Sequence, residues 1–588
     1  MSEGPVVMKY KIFKIIVYSF LNVLWLFFLI SCTDTNQDSK NEGSFTNPIL
    51  AGFYPDPSIC KADNYYFIVN STFSYFPGIP VFQSKDLVNW KLIGHAMDRA
   101  EQMDLTGLGV SRGIFAPAIA YRNDLFYIIC TLVDAGGNFV ITSNSPEGPW
   151  SNPVWIPEIN GIDPSMFFDG DGKAYIFYNS IPPDNKALYD GHRTIRMYEF
   201  DIQNLKVTGE EKIIVNGGVD ITREPAWIEA PHVYKVNDFY YLICAEGGTA
   251  DQHSEVVFRS KNVDGPYIPY EKNPILTQRH LDPQREYPIT STGHADLIQT
   301  DAGEWWAVFL GCRPYRPYEK GYHNNGRETF LAPVHWIDGW PVINPQYEEI
   351  QYEYPLPVQS SVVQVDIPYS GNFTIRYEFN KSTLHKSWVF LRTPHEKWYE
   401  LDQDNSILNI KLRPETCSGK SNPSLIGRRQ QHIKGSVSAS MKFEPASENE
   451  KAGLLIFQNE THYYFFCKSL IGSEYGITLY KSTESEEPDQ QLKLISSQLI
   501  PKRYQETEIL LKIESNGPEY SFYYAFSEDQ WMPLIEKVDG TFIRQIIPHD
   551  FAGAMYALYA SSFGQSSENL VSFNWFKYEG NDEVYITN

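Results

Sequence analysis

One phrase recurs five times along the first half of the chain, and it leaves few folds open. It reads YPDPSICKADNYYFIV from Tyr54, FAPAIAYRNDLFYIIC from Phe115, IDPSMFFDGDGKAYIFY from Ile162, EAPHVYKVNDFYYLIC from Glu229 and GHADLIQTDAGEWWAVF from Gly293. Each copy opens on a polar or acidic residue, passes a small residue or proline, and continues through an apolar stretch. An Asn, Asp or Gly turn and an aromatic-rich strand follow. Aligning Pro57, Pro117, Pro164, Pro231 and Ala295 gives spacings of 60, 47, 67 and 64 residues. Every copy encodes one hairpin and leaves room for two further strands. Four-stranded units repeating at about 40–50 residues or more are the signature of β-propeller blades. Five copies predict five blades.

In a propeller the innermost strand of each blade runs along the central channel, so equivalent positions of successive repeats meet around the axis. The residues before the aligned Pro or Ala are Asp56, Ala116, Asp163, Ala230 and His294, with Glu229 one place before Ala230. Carboxylates and a histidine that are distant in sequence are therefore expected to line one funnel. Like charges raise each other's pKa and cost free energy when gathered. Their convergence points to acid–base chemistry or a metal. Pro55 and Pro57 restrict the backbone on both sides of Asp56. Taken singly, Asp56 and Asp163 also read as turn caps at the start of a strand, and the repeat register is what favours chemistry.

A formal charge of −23 argues against nucleic acid or an anionic membrane face as partner. The abundance of Tyr and Trp suits half-exposed strands and stacking surfaces for sugar rings. Lys9, Lys11 and Lys14 precede a mostly apolar run from Ile15 to Ile30. This pattern reads as a secretory signal rather than a spanning helix. Leu29-Ile30-Ser31-Cys32 resembles a bacterial lipobox, which implies signal residues 1–31, lipidation of Cys32 and a tether over 32–44. An ordinary signal peptide or anchor helix is the other reading. The resemblance implies an exported lipoprotein of the periplasm or outer membrane, held to the membrane by its lipid. The later cysteines (Cys60, Cys130, Cys244, Cys312, Cys417 and Cys467) show no CxxC or zinc-ligand spacing. Buried thiols are the simpler reading, and a bridge stays open in an exported chain.

The propeller is expected over 45–350 and a linker with a second module over 351–588. Beyond the repeat, short alternating strands such as KWYELDQ, SVSASMKF, AGLLIFQ and VSFNWFKYE predict a β-sandwich of jelly-roll or concanavalin-like type. Such a module either binds sugar or buttresses the propeller. The fold class is all-β.

The motifs NPILAGFYPDPSI, IDPSMFFDGDG, IEAPHVYK, STGHADL and GRETFLAPV together resemble glycoside hydrolase family 43, in its β-xylosidase and α-L-arabinofuranosidase members with a C-terminal sandwich. The resemblance runs from Asn47 to the end. It implies inverting hydrolysis of a terminal pentoside, with Asp56 as general base, Glu229 as general acid and Asp163 as the residue that orients the acid and raises its pKa. The residues agree: inversion needs one ionised and one protonated carboxyl on opposite sides of the bond. The resemblance further implies that Arg327, His253, Phe73 and Phe115 bind substrate, with Phe76 a further wall residue. Phe115 stands where better-known xylosidases carry tryptophan. At the place of His294 many members have a hydrated calcium site, and a hydrogen-bonded core histidine is the alternative. No other cofactor is expected.

The leading expectation is an exo-acting enzyme removing non-reducing-end α-L-arabinofuranosyl residues from plant hemicellulose oligosaccharides or polysaccharides. A β-1,4-xylosidase, or a bifunctional enzyme, is the alternative within the same chemistry. A non-catalytic carbohydrate-binding lipoprotein is the alternative of another class. A retaining fructan hydrolase shares the architecture but not the YPDPS motif.

Overall fold

The computed structural model describes residues 43–357, 367–528, 530–545 and 550–586. The signal pattern and Cys32 lie outside them. Among the described residues the regular elements are strands and single 3₁₀ turns.

Each sequence repeat becomes an antiparallel sheet whose strands follow chain order from the channel outward. The inner strands are Ser58–Ala62, Gly113–Arg122, Gly161–Phe168, Glu229–Val236 and Thr290–Gln299. They pack against one another in sequence order, and the last returns to the first, closing a ring of five blades. The second strand of each blade, such as Tyr65–Val69 or Phe239–Glu246, is buried on both faces between neighbouring blades. This accounts for its unbroken run of apolar residues.

The aligned positions share a local structure as well as a place. Register slips where the motif sits on four inner strands: between Phe115 and Ala118, Ile162 and Ser165, Glu229 and His232, and on both sides of Gly293. The aligned residue has a left-handed backbone in every blade, with φ of 53° at Asp56, just before the first inner strand, 36° at Ala116, 52° at Asp163, 51° at Ala230 and 53° at His294. A β-bulge of this kind re-aims a side chain out of the ladder.

The second module is a sandwich of two sheets. One runs in the order Leu492–Leu499, Glu474–Ser482, His462–Ile471, Lys451–Asn459, Met555–Ser561, Ser424–Arg429 and Val389–Leu391. Its last strand comes from the propeller: Tyr75–Phe76 pairs with Val389–Leu391, with Phe76 opposite Phe390 and Tyr75 opposite Leu391. Both faces of its central strands, Lys451–Asn459, His462–Ile471 and Met555–Ser561, are buried. Leu454 and Ile456 point into the sandwich core, while Leu455 and Phe457 join Phe53, Phe73, Tyr75 and Val110 of the propeller in a second cluster. The period of two along each strand divides its side chains between the two cores. The module therefore buttresses the propeller through one whole sheet. The expectation that Phe76 lines a pocket gives way here, since its backbone pairing sends the buried ring into the sandwich core.

Polar ties cross the same boundary. Arg313 makes ion pairs with Glu328 at 2.6 Å and with Asp582 at 2.7 Å, all three buried. Arg429 donates to the Phe53 carbonyl at 2.8 Å, and Gln431 to the Ala51 carbonyl at 3.0 Å. The six described cysteines are buried and unbridged.

Candidate active site

Asp56 is fixed before its side chain makes any contact. Asn70 Nδ2 donates to the carbonyls of Tyr54 and Pro55, at 2.9 and 3.1 Å, and Thr329 Oγ1 donates to the Tyr54 carbonyl at 2.6 Å. The carboxylate then accepts from Ser71 Oγ at 2.6 Å, and the same hydroxyl accepts the Ala116 amide at 2.6 Å. Arg327 Nη1 lies 3.2 Å from Oδ1, and His294 Nδ1 lies 3.6 Å from it. Burial pushes the Asp56 carboxyl up, but the Arg327 guanidinium and the Ser71 hydrogen bond outweigh burial and hold it below the usual carboxylate range.

Asp163 and Glu229 behave oppositely. Burial and the charge of Asp56 push Asp163 up to about 7, although it accepts the Ala230 amide. Burial first, then the charge of Asp163, pushes Glu229 well above the carboxylate range. The two are a coupled pair that retains a proton near neutrality. The channel thus holds one buried ionised carboxylate and a carboxyl pair that keeps a proton. That separation of proton affinities is how acid and base roles are divided between like groups.

Burial depresses His253 and His294, to about 4 and about 3, so both are neutral. His253 Nδ1 is 2.9 Å from the Ser291 carbonyl, so this nitrogen carries the proton and Nε2 presents a lone pair. That Nε2 and Arg327 Nε are buried polar atoms with no hydrogen-bond partner among the described residues. A buried polar atom left unpaired costs free energy, and a sugar hydroxyl would satisfy either. The ring of His253 packs against Gly293, where an added Cβ would lie 2.8 Å from it.

Calcium takes about six to eight oxygen ligands. His294 has Asp56 as its carboxylate neighbour, and the Arg327 guanidinium is a cation whose charge reaches it. That carboxylate is already shared between Ser71 and Arg327. Among the described residues no group of three His, Cys, Asp or Glu could hold a metal ion. This surrounding does not fit a protein-held calcium; His294 instead adds to the setting of Asp56.

Three phenylalanines form an aromatic corner beside these groups. Phe73 and Phe115 meet edge to face at 5.3 Å, and Phe551 of the sandwich module lies 6.2 Å from Phe73 and 5.7 Å from Phe115. The Arg327 guanidinium sits 5.1 Å from the Phe551 ring centre. Phe73 has no exposed surface, so its ring backs the corner while Phe115 and Phe551 are part-exposed. The amides of Phe551 and Ala552 donate to Ser111 Oγ at 2.8 and 3.1 Å, tying this segment to the loop before Phe115. Sequence reading missed Phe551, Ser71 and Asp296. Asp296 accepts from Ser58 Oγ at 2.8 Å, the Ile59 amide at 2.9 Å and Tyr234 OH at 2.5 Å, linking three blades below the site. Its place two residues after His294 in STGHADL was its only signal.

Residues 45–341 match the family described as Glycosyl hydrolases family 43. The chain belongs to that family. Residues 376–579 match the Beta xylosidase C-terminal Concanavalin A-like domain. A "Xylosidase/arabinosidase" of Butyrivibrio fibrisolvens is 36% identical, the alignment covering 91% of this chain and 99% of that protein. A "Non-reducing end alpha-L-arabinofuranosidase" of Bacteroides ovatus is 34% identical over 92% of this chain and 96% of its own length. The solved structure of Bacteroides ovatus Xyloglucan PUL GH43B superposes with a TM-score of 0.81 at 34% identity, covering 92% of this chain and all of that one. This family 43 chain is a glycosidase built as a five-bladed propeller with a concanavalin-like sandwich.

Proposed function

We propose that this glycosidase removes non-reducing-end α-L-arabinofuranosyl residues from hemicellulose chains, one sugar at a time and with inversion. Asp56 is the general base that takes a proton from the attacking water. Glu229 is the general acid that protonates the leaving oxygen. Asp163 holds the amide beside Glu229 and, by its charge, keeps the acid protonated. The observation that carries the reading is the opposed proton affinity of Asp56 and the Asp163–Glu229 pair. In inversion the base acts on water and forms no bond to sugar. Asp56 fits that role because its oxygens are already held by Ser71 and Arg327. His253 Nε2 and Arg327 Nε fix the hydroxyls of the terminal sugar, and Phe115 with Phe551 closes the aromatic side against a longer chain.

Arabinofuranose is favoured by the likeness to the Bacteroides ovatus arabinofuranosidase and by Phe115 in place of a larger tryptophan. The double name of the Butyrivibrio fibrisolvens relative keeps β-1,4-xylosidase as the second reading. Hydrolysis of p-nitrophenyl pentosides followed by proton NMR tests both sugar and stereochemistry. The expected result is preference for the α-L-arabinofuranoside, with the β-anomer formed first. First-formed product of unchanged configuration would make Asp56 a nucleophile and overturn the assignment.

A further inference from the structure

The sandwich sheet that faces away from the propeller carries a groove of about 830 Å³. It crosses strands Lys434–Lys442, Ile509–Asn516, Glu519–Ala525 and Leu570–Gly580. Alternation along these strands separates it from the core. Val437, Leu511, Ile513 and Phe522 point inward, while Ser436, Ser438, Lys512, Glu514 and Tyr523 line the groove. Its volume falls in the range of small-molecule sites. The buttressing role of the other sheet does not use it.

The lining has three properties that select a ligand. Aromatic rings stand in it: Lys512 Nζ lies 4.7 Å from the Tyr523 ring centre and 4.8 Å from that of Trp531, and the Arg376 guanidinium lies 4.3 Å from that of Trp575. Its charges balance, with five Lys or Arg against five Glu, on a chain whose formal charge is −23. Pairs such as Lys512–Glu514 at 2.6 Å and Lys577–Glu579 at 2.7 Å set donors beside acceptors along its length. Lys and Glu are depleted at protein–protein interfaces, so a lining this rich in them argues against a protein partner. Local neutrality argues against an anionic polymer. Rings for the C–H faces of sugars, with donors and acceptors side by side for hydroxyls, match a neutral carbohydrate.

We propose that this groove is a second glycan site, separate from the catalytic ring, which takes a stretch of neutral polysaccharide backbone. Trp531 and Tyr523 supply the stacking surface, and the Lys512–Glu514 pair bonds to hydroxyls. It holds the enzyme on a polymer whose side chains the catalytic site trims.

Native affinity electrophoresis of the full chain through gels containing soluble arabinoxylan or xyloglucan tests this. Excess free arabinose and xylose in the gel fill the catalytic pocket. Retardation should persist under those sugars. Trp531→Ala combined with Tyr523→Ala should weaken binding by about tenfold or more, the effect of roughly 1.4 kcal/mol. Trp531→Phe should largely retain it, with aryl pentoside hydrolysis and melting temperature unchanged in both variants. Three results would overturn the proposal: no retardation of the unaltered protein in either gel, equal retardation of the double variant, or a dimer in solution that the double variant abolishes. Because the readout is binding alone, its failure leaves the catalytic assignment intact, and absence of turnover leaves this site intact.

Discussion

At five places around the ring an ordinary side chain is held at a backbone angle that glycine favours. Non-glycine residues in such sparsely populated regions cost of order 1–3 kcal/mol each. Repeating that cost in every blade is consistent with a feature kept for where it aims side chains. Asp56, Asp163 and His294 occupy it, and Glu229 stands beside it. These residues were legible in the sequence because the motif repeats and the bulge travels with it. Ser71 was not, since a serine after an aromatic strand carries no mark of the carboxylate it will meet. The charges at this scale set the pH profile. Asp163 favours the protonated form of Glu229, so Asp163→Asn should move the basic limb of kcat/KM to lower pH. Arg327 favours the ionised form of Asp56, so Arg327→Met should move the acidic limb to higher pH. Both limbs are read from one set of pH–rate curves on an aryl glycoside. Limbs unmoved in both variants would remove the proposed division of roles. Glu229→Ala should spare substrates with good leaving groups far more than natural linkages, because only the latter depend on the acid.

At the scale of elements, the pocket corner is assembled from segments that share no local pattern. Phe73 and Phe115 lie at the inner ends of neighbouring blades, whereas Phe551 arrives from the sandwich, held by Ser111 and by the bond from the Ala554 amide to the Asn324 carbonyl at 2.8 Å. Blade strands could be read from alternation and turns, but nothing within 550–554 announces a partner 440 residues earlier. The same limit hid the Tyr75–Phe76 strand. Two residues are too few for a period, and its pairing partner lies in another module. The Phe551 ring is part-exposed and closes the aromatic side of the site. Phe551→Ala should therefore lower kcat/KM for aryl arabinofuranosides by roughly tenfold, about 1.4 kcal/mol of transition-state stabilisation, while the melting temperature changes little. Steady-state kinetics with thermal melts decide it, and unchanged kinetics would place the ring outside the substrate's reach.

At the scale of the whole molecule, the two modules share a core as well as a boundary. The cluster containing Phe53, Tyr75, Val389, Leu455 and Phe465 draws on both, and the buried Arg313 ion pairs span them. Sequence reading divided the modules by pattern, but it left buttressing and sugar binding as alternatives because a strand's period does not reveal what covers its second face. Residues 1–357 expressed alone would expose one side of that cluster to water and leave Arg313 and Tyr75–Phe76 without their partners, Asp582 and Val389–Leu391. The expected product is insoluble or dye-binding protein without turnover. A soluble, active fragment would show that the sandwich is dispensable.

The short strand Tyr75–Phe76 has a consequence for inheritance. It lies two residues after Phe73, inside the loop that shapes the aromatic corner, yet it forms the lateral strand of the sandwich sheet. A sandwich exchanged between relatives must therefore match the sugar-facing loop of its new host as well as its outer surface. Substrate preference in such chimaeras should follow the pair of modules rather than the propeller alone, and recombination at the boundary between them should be selected against wherever the two lineages trim different sugars.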